Sequence, residues 1–258
     1  MHIPLLYELA LLQPNFSFPT DAASIEQIIL RWVHFVAGIT WIGLLYFFNL
    51  VNVPFMKELD APARGKVIPN LMPKALWWFR WSAVVTWLAG FRYFMIYLKT
   101  DATNAGEPAL FGKWMGMWFG VWVVAFVVIY GLLMMAQTVL KNNGYVLGVL
   151  VTIVTVGAAW AALALLSHPE VSNRTLSIGV GGGIGTMMML NVWGLIWRVQ
   201  KKLIAWTKAN AEQGTPMPPE AAKLARLAFL TSRVNFYFSF PMLFFMAAAS
   251  HYAFLAGK

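Results

Sequence analysis

The sequence predicts an all-α protein, a polytopic integral membrane bundle of about six transmembrane helices with both termini outside. Three observations predict it. Of the 258 residues 60% are apolar and 11% are charged, whereas soluble domains carry about 25% charged residues. The apolar residues fall in runs of the roughly 20 residues that a spanning helix needs. The basic residues lie mostly between these runs, which indicates membrane topology rather than nucleic-acid binding.

The composition also excludes several classes of protein. The chain has no cysteine, which excludes a disulfide scaffold, an iron–sulfur protein, a thiol enzyme and covalently attached c-type haem. Aromatic residues make up 16% of the chain, which excludes a disordered polypeptide. The remaining classes are membrane proteins with a non-covalent cofactor or with none.

Six apolar runs predict the spans, and the whole chain, 1–258, is one transmembrane domain. Residues 1–26 form an external N-terminal segment, and residues 200–226 form a cytoplasmic loop. The short apolar stretch near the N-terminus is too brief to span. It lacks a basic leader and a clear small-residue cleavage site, so we do not expect a signal peptide. The predicted spans are Gln27–Val53, Ala75–Leu98, Trp114–Leu140, Tyr145–Leu166, Leu176–Val199 and Leu227–Leu255.

The distribution of Lys and Arg predicts the orientation of the bundle. The connections after the first, third and fifth runs carry eleven basic residues, and the other connections with the C-terminus carry four. Loops rich in Lys and Arg remain on the cytoplasmic side. Both termini are therefore expected outside, in agreement with an even number of spans.

Most charged and imidazole side chains within the spans lie on the external half, and only Arg80 and Arg233 lie at the inner edge. Charges inside a bilayer are costly and usually functional. Arg31 and His34 lie in the outer third of the first run, Arg92 lies near the outer end of the second, and His251 lies near the outer end of the sixth. This grouping predicts haem b near the external face. His34 and His251 are the candidate iron ligands, and Arg31 and Arg92 would hold the propionates.

Gly38 adds a steric argument for His34. It lies one turn further along the same helical face, and the absence of a side chain leaves a flat gap that a planar ring would fit. Other interpretations stay open. An intramembrane histidine also occurs as a hydrogen-bonded packing residue, and either arginine can extend its side chain to the interface. The spacing of histidines does not match di-haem cytochromes b, and there is no His-Glu-x-x-His zinc motif.

The glycine-rich segment from Gly179 to Gly185 does not have the spacing of a nucleotide-binding loop. Its glycines stand four residues apart in an apolar run, which favours close helix packing. Asn191 and Asn235 are predicted to bridge two helices, and Pro241 is expected to bend the sixth.

Several of these segments together resemble a known family. The segments are His34–Gly43, Asn49, Ala75–Trp81, Asn191–Trp193 and Ser232–Asn235. They are similar to the membrane-bound bacterial urate oxidases (urate hydroxylases), in the order in which that family has them. The resemblance implies an electron-transfer membrane domain in the bacterial inner (cytoplasmic) membrane. In the family a cytochrome c module typically follows this domain, so an external cytochrome c is expected here as a separate partner.

The sequence departs from the family at two positions. Where the family has histidines, this chain has Gly179 and Val234, which weakens the expectation of urate oxidation. The first hypothesis is therefore a haem-containing oxidoreductase for a urate-like substrate. The second is a non-catalytic structural or electron-transfer subunit of a larger respiratory or photosynthetic membrane complex. A transporter ranks third, because neither inverted repeats nor midplane charge pairs are present.

Overall fold

The computed structural model describes residues 18–140 and 143–255, and within them every regular element is helical. Short breaks separate six continuous helices. Two contain a π-helical segment, at Phe47–Asn52 in the first and at Val192–Ile196 in the fifth. The all-α prediction is confirmed. The helices are α1 Ala22–Glu58, α2 Ala61–Asn104, α3 Leu110–Met135, α4 Gly144–Leu165, α5 Asn173–Gln213 and α6 Ala221–His251.

Four of the six helices are long and apolar enough to cross a membrane, namely α1, α3, α4 and α5. They confirm a multi-helix membrane protein. Large apolar side chains such as Trp32, Ile39 and Trp160 are exposed on them, as expected for helices that face lipid. Helices α2 and α6 are long but more polar, and their crossing stays a prediction, as do the external termini and the bacterial inner membrane.

Several helices extend beyond the predicted spans. The predicted loop 200–226 is helical for most of its length, because α5 continues to Gln213 and α6 begins at Ala221. Helix α2 begins at Ala61, where the Asp60 carboxylate accepts a hydrogen bond from the Ala63 amide. An apolar run indicates only the apolar part of a helix. The helix ends where a capping side chain or a glycine in the left-handed conformation stops it. Gly214, with φ of 67°, ends α5.

Helix α5 lies at the centre of the packing. Its glycines let neighbouring helices approach, as predicted. A Cβ atom on Gly183 would overlap the Trp122 ring of α3, and one on Gly181 would lie 3.1 Å from Phe245 Cβ of α6. The predicted amide bridge is also present, since Asn191 Nδ2 donates to Asn235 Oδ1 at 2.8 Å.

Helices α1 and α2 run antiparallel. Glu26 pairs with Arg92, and further along α1 His34 bonds to the backbone of Thr86. This order places the start of α1 beside the end of α2. The start of α5 and the end of α6 reach the same end of the bundle, because Asn173 Nδ2 donates to the carbonyl of Tyr252. We call this end of the bundle the Asp101 end.

Candidate functional site

The Asp101 end of the bundle contains an open cavity of about 390 Å³. It lies between the end of α2, the start of α5 and the end of α6. We call it the polar cavity because most of its lining side chains are polar. Its lining residues are Tyr97, Asp101, Ser172, Asn173, Arg174 and 249–253.

Asp101 is the buried carboxylate of the polar cavity, with 4% of its surface exposed. Its Oδ2 atom accepts hydrogen bonds from the amide and the hydroxyl of Ser172, at 3.1 and 3.2 Å. Ser172 is the N-cap of α5, so the carboxylate lies at the positive end of that helix. These two hydrogen bonds and the helix terminus offset the cost of burying the Asp101 carboxylate.

Arg174 is the cationic group of the polar cavity. Its guanidinium carbon lies 4.7 Å from the centre of the Tyr97 ring, a cation–π geometry. Its Nε atom is buried and has no hydrogen-bond partner. Among the residues that the structure describes, Arg174 and Asp101 form no ion pair with each other. The cavity thus has one cationic side chain in its lining, and the Nε atom of that side chain is buried beneath the surface.

A chain of polar contacts holds Tyr97 in position. Its hydroxyl donates to Gln27 Oε1 of α1 at 2.9 Å and lies 3.1 Å from the Tyr93 hydroxyl. Because α1 supplies Gln27, the first helix supports one wall of the cavity although it contributes no lining residue.

The segment after α6 closes the other side of the cavity. Asn173 Nδ2 donates to the carbonyl of Tyr252 at 3.0 Å, and the Leu255 amide donates to Asn173 Oδ1 at 3.1 Å. His251 lies in the last turn of α6, is exposed and lines the cavity. An arginine, a carboxylate and an imidazole therefore surround one space, which suits a small planar anion that also carries N–H groups.

His34 occupies a different position, inside the α1–α2 interface. Its Nδ1 atom lies 2.8 Å from the carbonyl oxygen of Thr86. A carbonyl can only accept, so Nδ1 carries the hydrogen and Nε2 carries the lone pair. This is the arrangement that orients a histidine as a metal ligand. His34 lies two turns beyond Gln27, or about 10 Å further along α1, and it does not line the polar cavity.

The other predicted cofactor residues have varied surroundings. Gly38 faces α2, since a Cβ atom there would lie 3.6 Å from the methyl group of Thr86. Arg31 is exposed. Arg92 is already paired, because its Nε and Nη2 atoms donate to the two carboxylate oxygens of Glu26 at 2.7 and 3.1 Å. A propionate would have to compete with Glu26 for this arginine.

The donor set fits one iron ligand better than a polydentate metal site. Across residues 18–140 and 143–255, no three His, Asp or Glu side chains come close enough together to hold a metal ion. His34 offers a single oriented Nε2 atom, as a haem ligand does.

The chain was compared with models of known protein families. The model for the urate oxidase N-terminal family matches residues 59–258. The chain belongs to this family. The match includes every lining residue of the polar cavity, whereas His34 and Gly38 precede the matched region. No curated protein and no solved structure matches the chain.

The sequence predicted His251 as a site residue but did not identify Asp101, Arg174 or Tyr97. In the sequence Arg174 is a basic residue between two apolar runs, like others that contribute only to topology. One feature of the sequence could have indicated Arg174. The Ser172-Asn173 pair is a favourable helix N-cap, and Arg174 follows it directly. This N-cap lies at the same end of the bundle as the other candidate residues.

Proposed function

We propose that this member of the urate oxidase N-terminal family is a membrane oxidoreductase that binds a urate-like purine anion in the polar cavity. The observation that supports it best is Arg174, a cationic side chain that lines this open cavity and pairs with no carboxylate among the described residues. Family membership supports the substrate class, since the matched region contains the whole cavity.

The cavity groups complement such a substrate. A urate-like ring is planar and carries carbonyl oxygens with delocalised negative charge, which a guanidinium binds in its own plane. The N–H groups of the ring would donate to Asp101, whose Oδ2 is already held by Ser172. Tyr97 lies beneath the guanidinium and keeps its orientation fixed.

Oxidation of the ring removes electrons together with protons, and two lining residues can accept these protons. Asp101 is a carboxylate fixed at the helix terminus, and His251 is an exposed imidazole at the cavity edge. A proton passed from the buried group to the exposed one reaches water. Arg174 meanwhile keeps the anion in place through the reaction.

His34 is the residue of this chain that would hold haem b, through Nε2. When bound, the haem supplies a one-electron carrier between the substrate and a separate external cytochrome c. The Thr86 carbonyl orients the imidazole and increases its basicity. Arg31 remains unpaired by any described carboxylate and is the more available of the two arginines for a propionate.

The test combines a spectrum with a turnover assay on the purified full chain. Reduced-minus-oxidised spectra are recorded for wild type, His34→Gln and His168→Gln. The His34 variant keeps a side-chain donor for Thr86 but lacks imidazole, and His168 is a matched control in a loop. We expect haem b bands in wild type and in the control, their loss in His34→Gln, and urate-dependent reduction of added cytochrome c.

Two results would contradict the proposal. A protein without haem bands removes the assigned role of His34. A haem protein that never reduces cytochrome c with urate, and that co-purifies with a larger membrane complex, is instead a non-catalytic subunit.

A further inference from the structure

A second cavity, of about 580 Å³, lies between α1, α2, α5 and α6. Most of its lining side chains are aliphatic, aromatic or methionine, and we call it the apolar cavity. It shares no lining residue with the polar cavity. Its volume is typical of sites that hold a small organic molecule.

Asn49 contributes an unused hydrogen-bond acceptor to this cavity. The residue is 2% exposed. Its Nδ2 atom donates to the carbonyl of Leu45 and to the hydroxyl of Ser232, both at 2.9 Å. Because the Leu45 carbonyl can only accept, the amide orientation is fixed. The Oδ1 atom is therefore an acceptor, and it is buried without a donor.

Asn52 provides a second acceptor of the same kind. It follows Asn49 within the π-helical segment Phe47–Asn52 and lines the same cavity. Its Oδ1 atom is also buried and unpaired. The second π-helical segment borders the cavity as well, through Ile196. Such segments often occur at functional sites, and unpaired buried acceptors call for a ligand with donors.

The cavity borders an apolar surface. Phe229 of α6 lines it and is 42% exposed. The neighbouring part of α1 exposes Leu50, Val51 and Phe55. In a membrane such a surface faces lipid. A ligand that reaches the cavity along this apolar surface would come from the bilayer and have an apolar body.

We propose that the apolar cavity binds a membrane-soluble hydroquinone, whose O–H groups donate to the Oδ1 atoms of Asn49 and Asn52. A hydroquinone has the required donors on a flat apolar ring. Gln200 and Arg64 at the cavity wall could donate to the oxygens of either redox form, so the preference depends on the two asparagine acceptors. The oxidised quinone lacks O–H groups and leaves Asn49 Oδ1 unpaired, so the site selects the reduced form.

The experiment measures binding of decylubiquinol and of oxidised decylubiquinone to the detergent-purified full chain by calorimetry. We expect the reduced form to bind at least tenfold more tightly. Asn52→Leu should weaken decylubiquinol binding at least fivefold with little change for the quinone, and Asn52→Asp, which keeps an acceptor oxygen, should retain it. Asn70→Leu is the matched control, because Asn70 lies on α2 outside the lining and donates to the Lys66 carbonyl.

The redox preference of wild type tests the proposal without any variant, so a poorly folding Asn52→Leu does not prevent a decision. Equal affinity for the two forms, or binding of neither, overturns the hydroquinone site. So does an equal loss of affinity in Asn70→Leu. The site does not depend on urate chemistry, and an absence of urate turnover leaves these binding results unaffected.

Discussion

The imidazole of His34 lies directly against the backbone of Gly90 across the α1–α2 interface. A Cβ atom on Gly90 would lie 2.6 Å from His34 Cε1 and 2.7 Å from Nδ1, closer than non-bonded atoms can approach. His34 can therefore bond to Thr86 only while residue 90 has no side chain. The position of the predicted iron ligand depends on a glycine in the opposite helix.

Gly90→Ala should displace His34 and weaken the α1–α2 contact. Inserting a methyl group into a packed interface costs about 1–3 kcal/mol, and we expect a lower thermal unfolding midpoint in detergent. Gly116→Ala is the control, because a Cβ there meets nothing within 4 Å; removing a helical glycine should be neutral or stabilise by about 0.5–1 kcal/mol. Equal midpoints for the two variants would show that His34 is not packed on Gly90.

Gly183→Ala should be more damaging. The added Cβ would overlap the Trp122 indole. Trp122 is fully buried, so any movement of its ring must displace its neighbours. We expect little folded protein by size-exclusion chromatography. Gly185→Ala is the control two residues away. Its Cβ atom would lie 3.9 Å from Met242 Cγ, an ordinary contact, so this variant should fold normally. Normal folding of Gly183→Ala would contradict the close contact between α3 and α5.

The Glu26–Arg92 pair should contribute little to stability. Both side chains are substantially exposed, at 40% and 49%, and exposed ion pairs typically contribute about 0.2–1 kcal/mol. A double-mutant cycle with Glu26→Gln and Arg92→Gln, measured by thermal unfolding, should give a coupling in this range. A coupling of several kcal/mol would mean that the pair is shielded from water.

Asp101→Asn should reduce activity much more than stability. The asparagine oxygen can still accept from Ser172, although without a charge, so we expect a loss of about 1 kcal/mol in unfolding free energy. Because the neutral amide cannot accept a proton, urate-dependent cytochrome c reduction should fall at least tenfold. Full activity in a folded variant would exclude Asp101 from proton transfer.

The sequence was sufficient to predict the fold class, because six apolar runs each require a helix and lipid permits few alternatives. It also predicted the glycine packing of α5 and the Asn191–Asn235 bridge, since their spacing and polarity are local signals. The sequence predicted the ends of the helices less accurately. Pro69 and Pro73 lie inside α2, where hydropathy alone predicted a loop.

The candidate site was predicted only in part. His251 stands out because it interrupts an apolar run, whereas Asp101 and Arg174 lie at the ends of runs that are distant in sequence. Only the packing of α2 against α5 brings them to one cavity. The pairing of Arg92 with Glu26 could not be predicted from the sequence either, because it depends on the register of two antiparallel helices.

The most direct test of the central claim is the affinity of urate for the polar cavity, measured by calorimetry on the full chain. We compare wild type, Arg174→Gln and Lys113→Gln, an exposed cation that does not line the cavity. If Arg174 binds the purine anion, its variant should bind urate at least tenfold more weakly, while Lys113→Gln matches wild type. Unchanged affinity in Arg174→Gln would contradict the account.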